Sequence, residues 1–144
     1  MTQRPRVLFL CTGNSCRSQM AEGWARHLCN ADVEPFSAGL ETHGLNPHAV
    51  AVMAEVGVDI SGHTSKTLDA LADVDLDLVV TVCAHADETC PGFAGSVRKL
   101  HVGFDDPPRL AAQESDPARA LDHYRRVRDE IRTFVLTLPG ELTS

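Results

Sequence analysis

A chain of 144 residues with 43% apolar content has enough material for one domain with one buried core, folded without disulfides or metal. Its formal net charge of −7 repels nucleic acid and anionic membrane, so neither is expected as a partner, and an anionic substrate needs a locally positive pocket. The first apolar run, Val7 to Leu10, is too short for a signal peptide or a membrane span, which points to a cytoplasmic protein, and five cysteines in a reducing compartment read as reactive or incidental thiols rather than a disulfide framework.

In chain order, Arg6 to Leu10 is a short continuous apolar run, as expected of a strand buried on both faces, and it ends at Cys11. Met20, Ala21, Trp24, Ala25 and Leu28 recur at helical spacing, so a helix begins near Arg17 or Ser18 and runs to about Leu28. Val33 to Ser37 is a brief candidate strand. Pro47 opens a second helix through Val50, Met53, Ala54 and Val56, which Gly57 stops. Thr64 or Ser65 caps a short helix reaching Leu71. Leu76 to Val82 ("LDLVVTV") is a second buried strand, and it also ends at a cysteine, Cys83. Val97 to Val102 is a weaker strand, and "FDDPP" after it reads as a loop, because two prolines continue neither element. Asp116 and Pro117 are a cap and a first-turn proline for a final helix through Leu121, Tyr124, Val127, Ile131, Phe134, Val135 and Leu138. The alternation predicts an α/β fold: a doubly wound, four-stranded parallel sheet with helices on both faces. Ligands then sit beyond the carboxyl ends of the strands, where Cys11 and Cys83 both lie.

The segment "CTGNSCRS" carries the chemistry. Thr12, Gly13, Asn14, Ser15 and Cys16 separate Cys11 from Arg17, and such a loop between strand and helix curls so that successive backbone N–H groups form an anion nest. The following helix adds a positive dipole end, and Arg17 offers a planar fork to two oxygens of a tetrahedral oxyanion. The same field favours the thiolate of Cys11 as a nucleophile, with Ser18 as hydrogen-bond donor. An isolated Cys-x5-Arg spacing fits equally a buried strand-end cysteine beside a helix; the strand–loop–helix context favours the first reading. Asp106, beside Pro107, suits a general acid for an oxygen leaving group, or simply a turn. Cys83 and Cys90 lie too far apart for a Cys-x-x-Cys motif and outside the usual zinc spacing, so no metal site is expected. They flank a polar segment that permits a disulfide if it rearranges. Cys16 and Cys29 read as packing or incidental residues, Trp24 as core, His43, His63 and His85 as solvated or capping side chains, and Arg125, Arg126 and Arg128 as a solvated helix face.

Taken in order, "CTGNSCRSQMAEGW", "SAGLETHGLNP", "DISGHTS", "VVTVC", "GFDDP" and "RVRDEI" make the sequence resemble, over nearly its whole length, the thioredoxin-coupled arsenate reductases that share the low-molecular-weight tyrosine phosphatase fold. The resemblance implies that Cys11 attacks arsenate held by the loop and Arg17, while Asp106 protonates the departing oxygen. It implies that Cys83 then attacks Cys11, releasing arsenite, and that Cys90 moves the disulfide to Cys83–Cys90, which thioredoxin reduces. No metal or organic cofactor is implied, and a monomer is expected. Members that bind potassium beside the loop use positions matching Asn14, Glu22 and Ser37 with an aspartate after "HTS", where this chain has Lys66. The Lys66 ammonium is accordingly expected to reach toward those three residues in place of the ion, or else to be a surface charge. Two other classes stay open: a tyrosine phosphatase with a cysteinyl-phosphate intermediate, and a noncatalytic oxyanion-binding or redox-sensing module. Against the first, Asp106 is followed by Pro107 and Pro108 rather than by Pro-Tyr.

Overall fold

A computed structural model describes residues 4–89 and 97–143. Four parallel strands, β1 (Arg6–Cys11), β2 (Glu34–Gly39), β3 (Leu78–Thr81) and β4 (Arg98–His101), form one sheet in the order β2-β1-β3-β4. The two continuous apolar runs take the central places. Val7 to Leu10 and Leu78 to Val80 are buried, with Leu8 opposite Phe36 on one side and Val79 on the other. The edge strand β4 is instead charged and largely exposed, which suits a strand with one unpaired side.

The chain runs from β1 outward to β2, then returns to the far side of β1 for β3, so the switch in direction falls between the carboxyl ends of β1 and β3. That crevice is where an open parallel sheet holds its ligand. Right-handed crossovers set α1 (Arg17–Leu28), which joins β1 to β2, and α3 (Ala84–Thr89), which joins β3 to β4, on opposite faces. Long α5 (Pro117–Val135) packs on α1 and on α2 (Pro47–Glu55), with Trp24 Nε1 donating to the carbonyl of Arg128 at 3.0 Å. Asn46 and Asp116 cap α2 and α5 as their side chains accept first-turn N–H groups. Among the described residues no helix is long and apolar enough to cross a membrane.

Four expectations are corrected. The "FDDPP" stretch is not all loop: Pro107 and Pro108 open α4 (Pro107–Ala111) behind Asp106, because a proline in the first helical turn forfeits no hydrogen bond. Thr64 and Ser65 do not cap a helix. Gly39 N–H donates to the Lys66 carbonyl at 2.8 Å, so the segment lies along β2, and a 3₁₀ turn starts only at Leu68. The last helix stops at Val135, and α6 (Leu138–Thr143) follows it. Arg128 is buried rather than solvated: its guanidinium donates to the Val52 carbonyl at 3.0 Å and to Glu55 at 3.0 Å. Val52 is among the last residues of α2, whose carbonyls lack helical partners.

Arg128→Ala leaves that carbonyl dry and unpaired and should cost about 2 kcal/mol or more in urea unfolding. Arg126→Ala, which removes exposed pairs to Asp105 and Glu130, should stay within about 0.5 kcal/mol.

Candidate active site

Between β1 and α1 the backbone from Cys11 to Cys16 turns every carbonyl onto a donor. Leu40 N–H reaches Cys11 O at 3.3 Å, Glu41 N–H reaches Thr12 O at 3.0 Å and His43 N–H reaches Gly13 O at 2.9 Å. The Gln19 amide donates to Asn14 O at 3.1 Å, Asn46 N–H to Ser15 O at 3.0 Å and Met20 N–H to Cys16 O at 2.9 Å. In a trans peptide the next N–H points opposite to the carbonyl, so the N–H groups of Thr12 to Arg17 face the inside of the loop. The first turn of α1 carries neither a side-chain cap nor an acid, leaving its donors and dipole to an anion. Six donors thus surround one small volume.

Two close approaches hold this shape. A Cβ on Gly39 would lie 2.5 Å from Glu41 O and 2.7 Å from Asn14 N, so only glycine lets β2 come this near. Asn14 adopts φ +48°, a left-handed conformation in which asparagine is among the least strained residues. Its Oδ1 accepts from Lys66 N–H at 2.8 Å and Gln19 Nε2 at 3.0 Å, and its Nδ2 donates to Ser18 Oγ at 2.9 Å. Because Ser18 Oγ accepts from Asn14, its own proton is free for Cys11 Sγ, 2.9 Å away.

The resulting cavity, of 390 Å³, is lined by Cys11, Gly13, Cys16, Arg17, His43 and Asp106 among others. Arg17 donates to Phe104 O at 3.0 Å and lies 3.8 Å from Asp106 Oδ1, which links the cation at the helix start to the acid on the opposite rim. Burial pushes the Cys16 thiol up, against the pull of Arg17, and it packs as a neutral group. Cys29 is likewise buried, with its thiol pushed up by burial and directed at Val135 O. Cys83, 5% exposed, stands beside the loop with its Sγ 3.4 Å from Thr12 Oγ1. Cys90 lies outside the described residues.

Glu22 is buried and accepts from Ser37 Oγ at 2.6 Å and Arg26 at 3.1 Å, with His63 Nε2 at 3.6 Å. The Lys66 ammonium stands 3.9 Å from the Glu22 carboxylate and donates to Thr64 O at 3.2 Å. It meets Asn14 through its backbone N–H and not, as expected, through the ammonium. His63 and His43 are not merely solvated. Burial pulls His63 below the usual imidazole range, Glu22 pulling the other way, and its Nδ1 donates to Gln19 Oε1 at 3.0 Å. His43 rests on Gly13, where a Cβ would meet its Nδ1 at 2.2 Å, and its Nε2 is held by Glu41 at 2.9 Å. Sequence reasoning passed over Gln19 and Asn46; the one available signal was that the segment after β2 leaves the sheet at its carboxyl edge. Among the described residues no group of three or more His, Cys, Asp or Glu is arranged to hold a metal ion.

Residues 6–143 match the family model described as low molecular weight phosphotyrosine protein phosphatase. The chain belongs to this family. An arsenate reductase of Staphylococcus aureus (strain Newman) is 48% identical over 129 residues, 90% of this chain and 92% of the relative. A solved arsenate reductase in the phosphate-binding state is 32% identical at TM-score 0.76, covering 96% of this chain and 98% of its own. A low molecular weight protein tyrosine phosphatase from T. tengcongensis is 29% identical at TM-score 0.73, covering 95% and 99%. The phosphatase-family fold therefore comes in this chain with a second thiol, Cys83, against the loop.

Replacing the loop's glycines should separate rigid from yielding neighbours. Gly39→Ala drives a methyl into backbone and should cost about 1–3 kcal/mol in urea unfolding. Gly13→Ala strikes the half-exposed His43 ring instead, and a double-mutant cycle with His43→Ala should return a favourable coupling above about 0.5 kcal/mol.

Proposed function

We propose that the protein reduces arsenate to arsenite by a three-cysteine relay recycled by thioredoxin. What carries this reading is a second buried thiol, Cys83, at the rim of an oxyanion loop that already holds a nucleophile. The 48% identity to a protein named arsenate reductase supports it. Arsenate enters the nest with Arg17 across two oxygens. The Cys11 thiolate attacks arsenic as an As–O bond breaks, and Asp106 supplies the proton with which that oxygen leaves as water. The Cys83 thiolate then attacks Cys11 Sγ: an S–S bond forms, the S–As bond breaks, and its electron pair stays on arsenic, which departs as arsenite. Cys90 attacks Cys83, freeing Cys11 and leaving a Cys83–Cys90 disulfide for thioredoxin. The two electrons come from two thiols, so the reaction draws on no organic redox cofactor. A monomer in a reducing cytoplasm suffices for each step.

Glu22 already meets Ser37, Arg26, His63 and Lys66, so an added monovalent cation there would face two positive side chains. The residues do not fit potassium, and Lys66 takes the role of an internal cation that steadies Glu22 under the loop.

The phosphatase reading rests on the same loop and on Asp106 at its rim, with water in place of Cys83 as second nucleophile.

Turnover with arsenate, thioredoxin, thioredoxin reductase and NADPH should proceed in wild type and fall at least 100-fold in Cys83→Ser, while p-nitrophenyl phosphate hydrolysis stays slow in both. Rapid phosphate-ester hydrolysis with no arsenite formed would favour the phosphatase. Cys90→Ser should perform one reduction and stall, with peptide mapping finding Cys11 joined to Cys83. At equal ionic strength, potassium and sodium should give wild-type kcat/KM values within about twofold, whereas Lys66→Asp should lose activity in sodium and recover it in potassium. Clear stimulation of wild type by potassium would contradict the role given to Lys66.

A further inference from the structure

The segment that leaves β2 reaches α2 through Asn46, where the oxyanion loop, α2 and α5 meet on one residue. Its backbone N–H donates to Ser15 O at 3.0 Å, one of the loop's outward carbonyls, and the residue itself lines the cavity. Its Oδ1 accepts from His48 N–H at 2.8 Å and from Ala49 N–H at 3.2 Å, closing the start of α2. With Oδ1 so occupied, the carboxamide turns its Nδ2 the other way, where it donates to the Tyr124 hydroxyl of α5 at 3.2 Å.

Asn46 is also stiff. It precedes Pro47, which confines it to extended backbone, and it sits at φ −71° and ψ 120°. A side chain held at both ends on so restricted a backbone fixes where its own N–H points. Because that N–H draws the Ser15 carbonyl outward, the Cys16 N–H of the same peptide turns into the cavity. Tyr124 is thereby joined to the oxyanion site, although it does not line it. The phenol is 3% exposed, and burial pushes it up from its ordinary value, over the opposing pull of the Asn46 hydrogen bond, so it stays a neutral hydroxyl. Its ring lies tilted against His48, centroids 5.3 Å apart, a contact that does not need the oxygen.

We propose that the Tyr124 hydroxyl is a positioning group for oxyanion binding: through Asn46 it holds the Ser15–Cys16 peptide in the orientation that presents an N–H to the anion. The inference rests on the reading of this loop as an oxyanion site, and is independent of the thiol steps that follow binding. A donor oriented in advance spares the anion the cost of ordering it. Losing the hydroxyl therefore weakens binding more than it slows the later chemistry.

The test is calorimetric titration of the reduced full chain with inorganic phosphate, a tetrahedral oxyanion that occupies the loop without being reduced, together with arsenate kinetics. Tyr124→Phe should raise the phosphate Kd and the arsenate KM about fivefold, with kcat within about twofold of wild type. Asn46→Ser, which keeps an oxygen to cap α2 and loses the Nδ2 donor, should weaken binding at least as much. The double variant should bind within about twofold of Asn46→Ser alone, because one path is cut twice. His48→Ala removes the ring contact but spares the hydroxyl, and should leave both constants within about twofold of wild type. A Tm lowered by Tyr124→Phe with Kd and KM unmoved would make the hydroxyl a structural tie and overturn the inference, as would fully additive effects of Tyr124→Phe and Asn46→Ser. Wild type that binds neither phosphate nor arsenate would remove the oxyanion site and the inference with it. Phosphate constants that shift as described, with no arsenite formed by wild type, would support the inference and remove the relay alone.

Discussion

Six consecutive carbonyl groups, Cys11 to Cys16, point away from one small space, and the chemistry of the protein depends on keeping them so. Peptide geometry converts each outward carbonyl into an inward N–H, so the positive lining of the cavity comes mostly from backbone rather than from charged side chains. That matters in a chain of net charge −7, where no general excess of cations draws an anion in. The outward hydrogen bonds come from α1 and from the segment leaving β2, and both are fixed by the parallel sheet. Gly39 permits the approach, and Asn14 takes the strained corner while its side chain is held from three directions.

The sheet topology explains why two thiols meet at this place. Cys11 ends β1, and Cys83 follows β3 by two residues; in the order β2-β1-β3-β4 these strands are neighbours. Parallel pairing aligns their carboxyl ends, so residues far apart in sequence reach the same rim without any long loop. Ser18 Oγ meets the Cys11 sulfur, whereas the Cys16 thiol, in the same loop, is kept neutral by burial.

Most of this was legible in the sequence because it rests on patterns with a period. The continuous apolar runs marked β1 and β3, and the spacing of Met20, Trp24 and Leu28 marked α1, with the Cys-x5-Arg loop between them. What escaped has no period. Helix α3 is six polar or small residues with no apolar stripe, and its place is set by the partners of Thr81 and Asp87. Pro107 and Pro108 were read as breakers, although the first turn of a helix tolerates them. Arg128 looks like its neighbours Arg125 and Arg126 in sequence, and only the packing of α5 on α2 turns it inward. His43 is distinguished from a solvated histidine by a contact with Gly13, thirty residues earlier, which no local pattern announces.

The account's central claim is that Cys83 diverts a phosphatase-type loop to reduction, with both electrons drawn from the protein's own thiols. Its most direct measurement is a single-turnover stoichiometry: fully reduced protein mixed with excess arsenate and no external reductant, followed by arsenic speciation and thiol counting. The account predicts one arsenite formed and two thiols lost per chain, with Cys83→Ser yielding no arsenite. Arsenite formed in undiminished amount by Cys83→Ser, or no arsenite from the wild type, would contradict it.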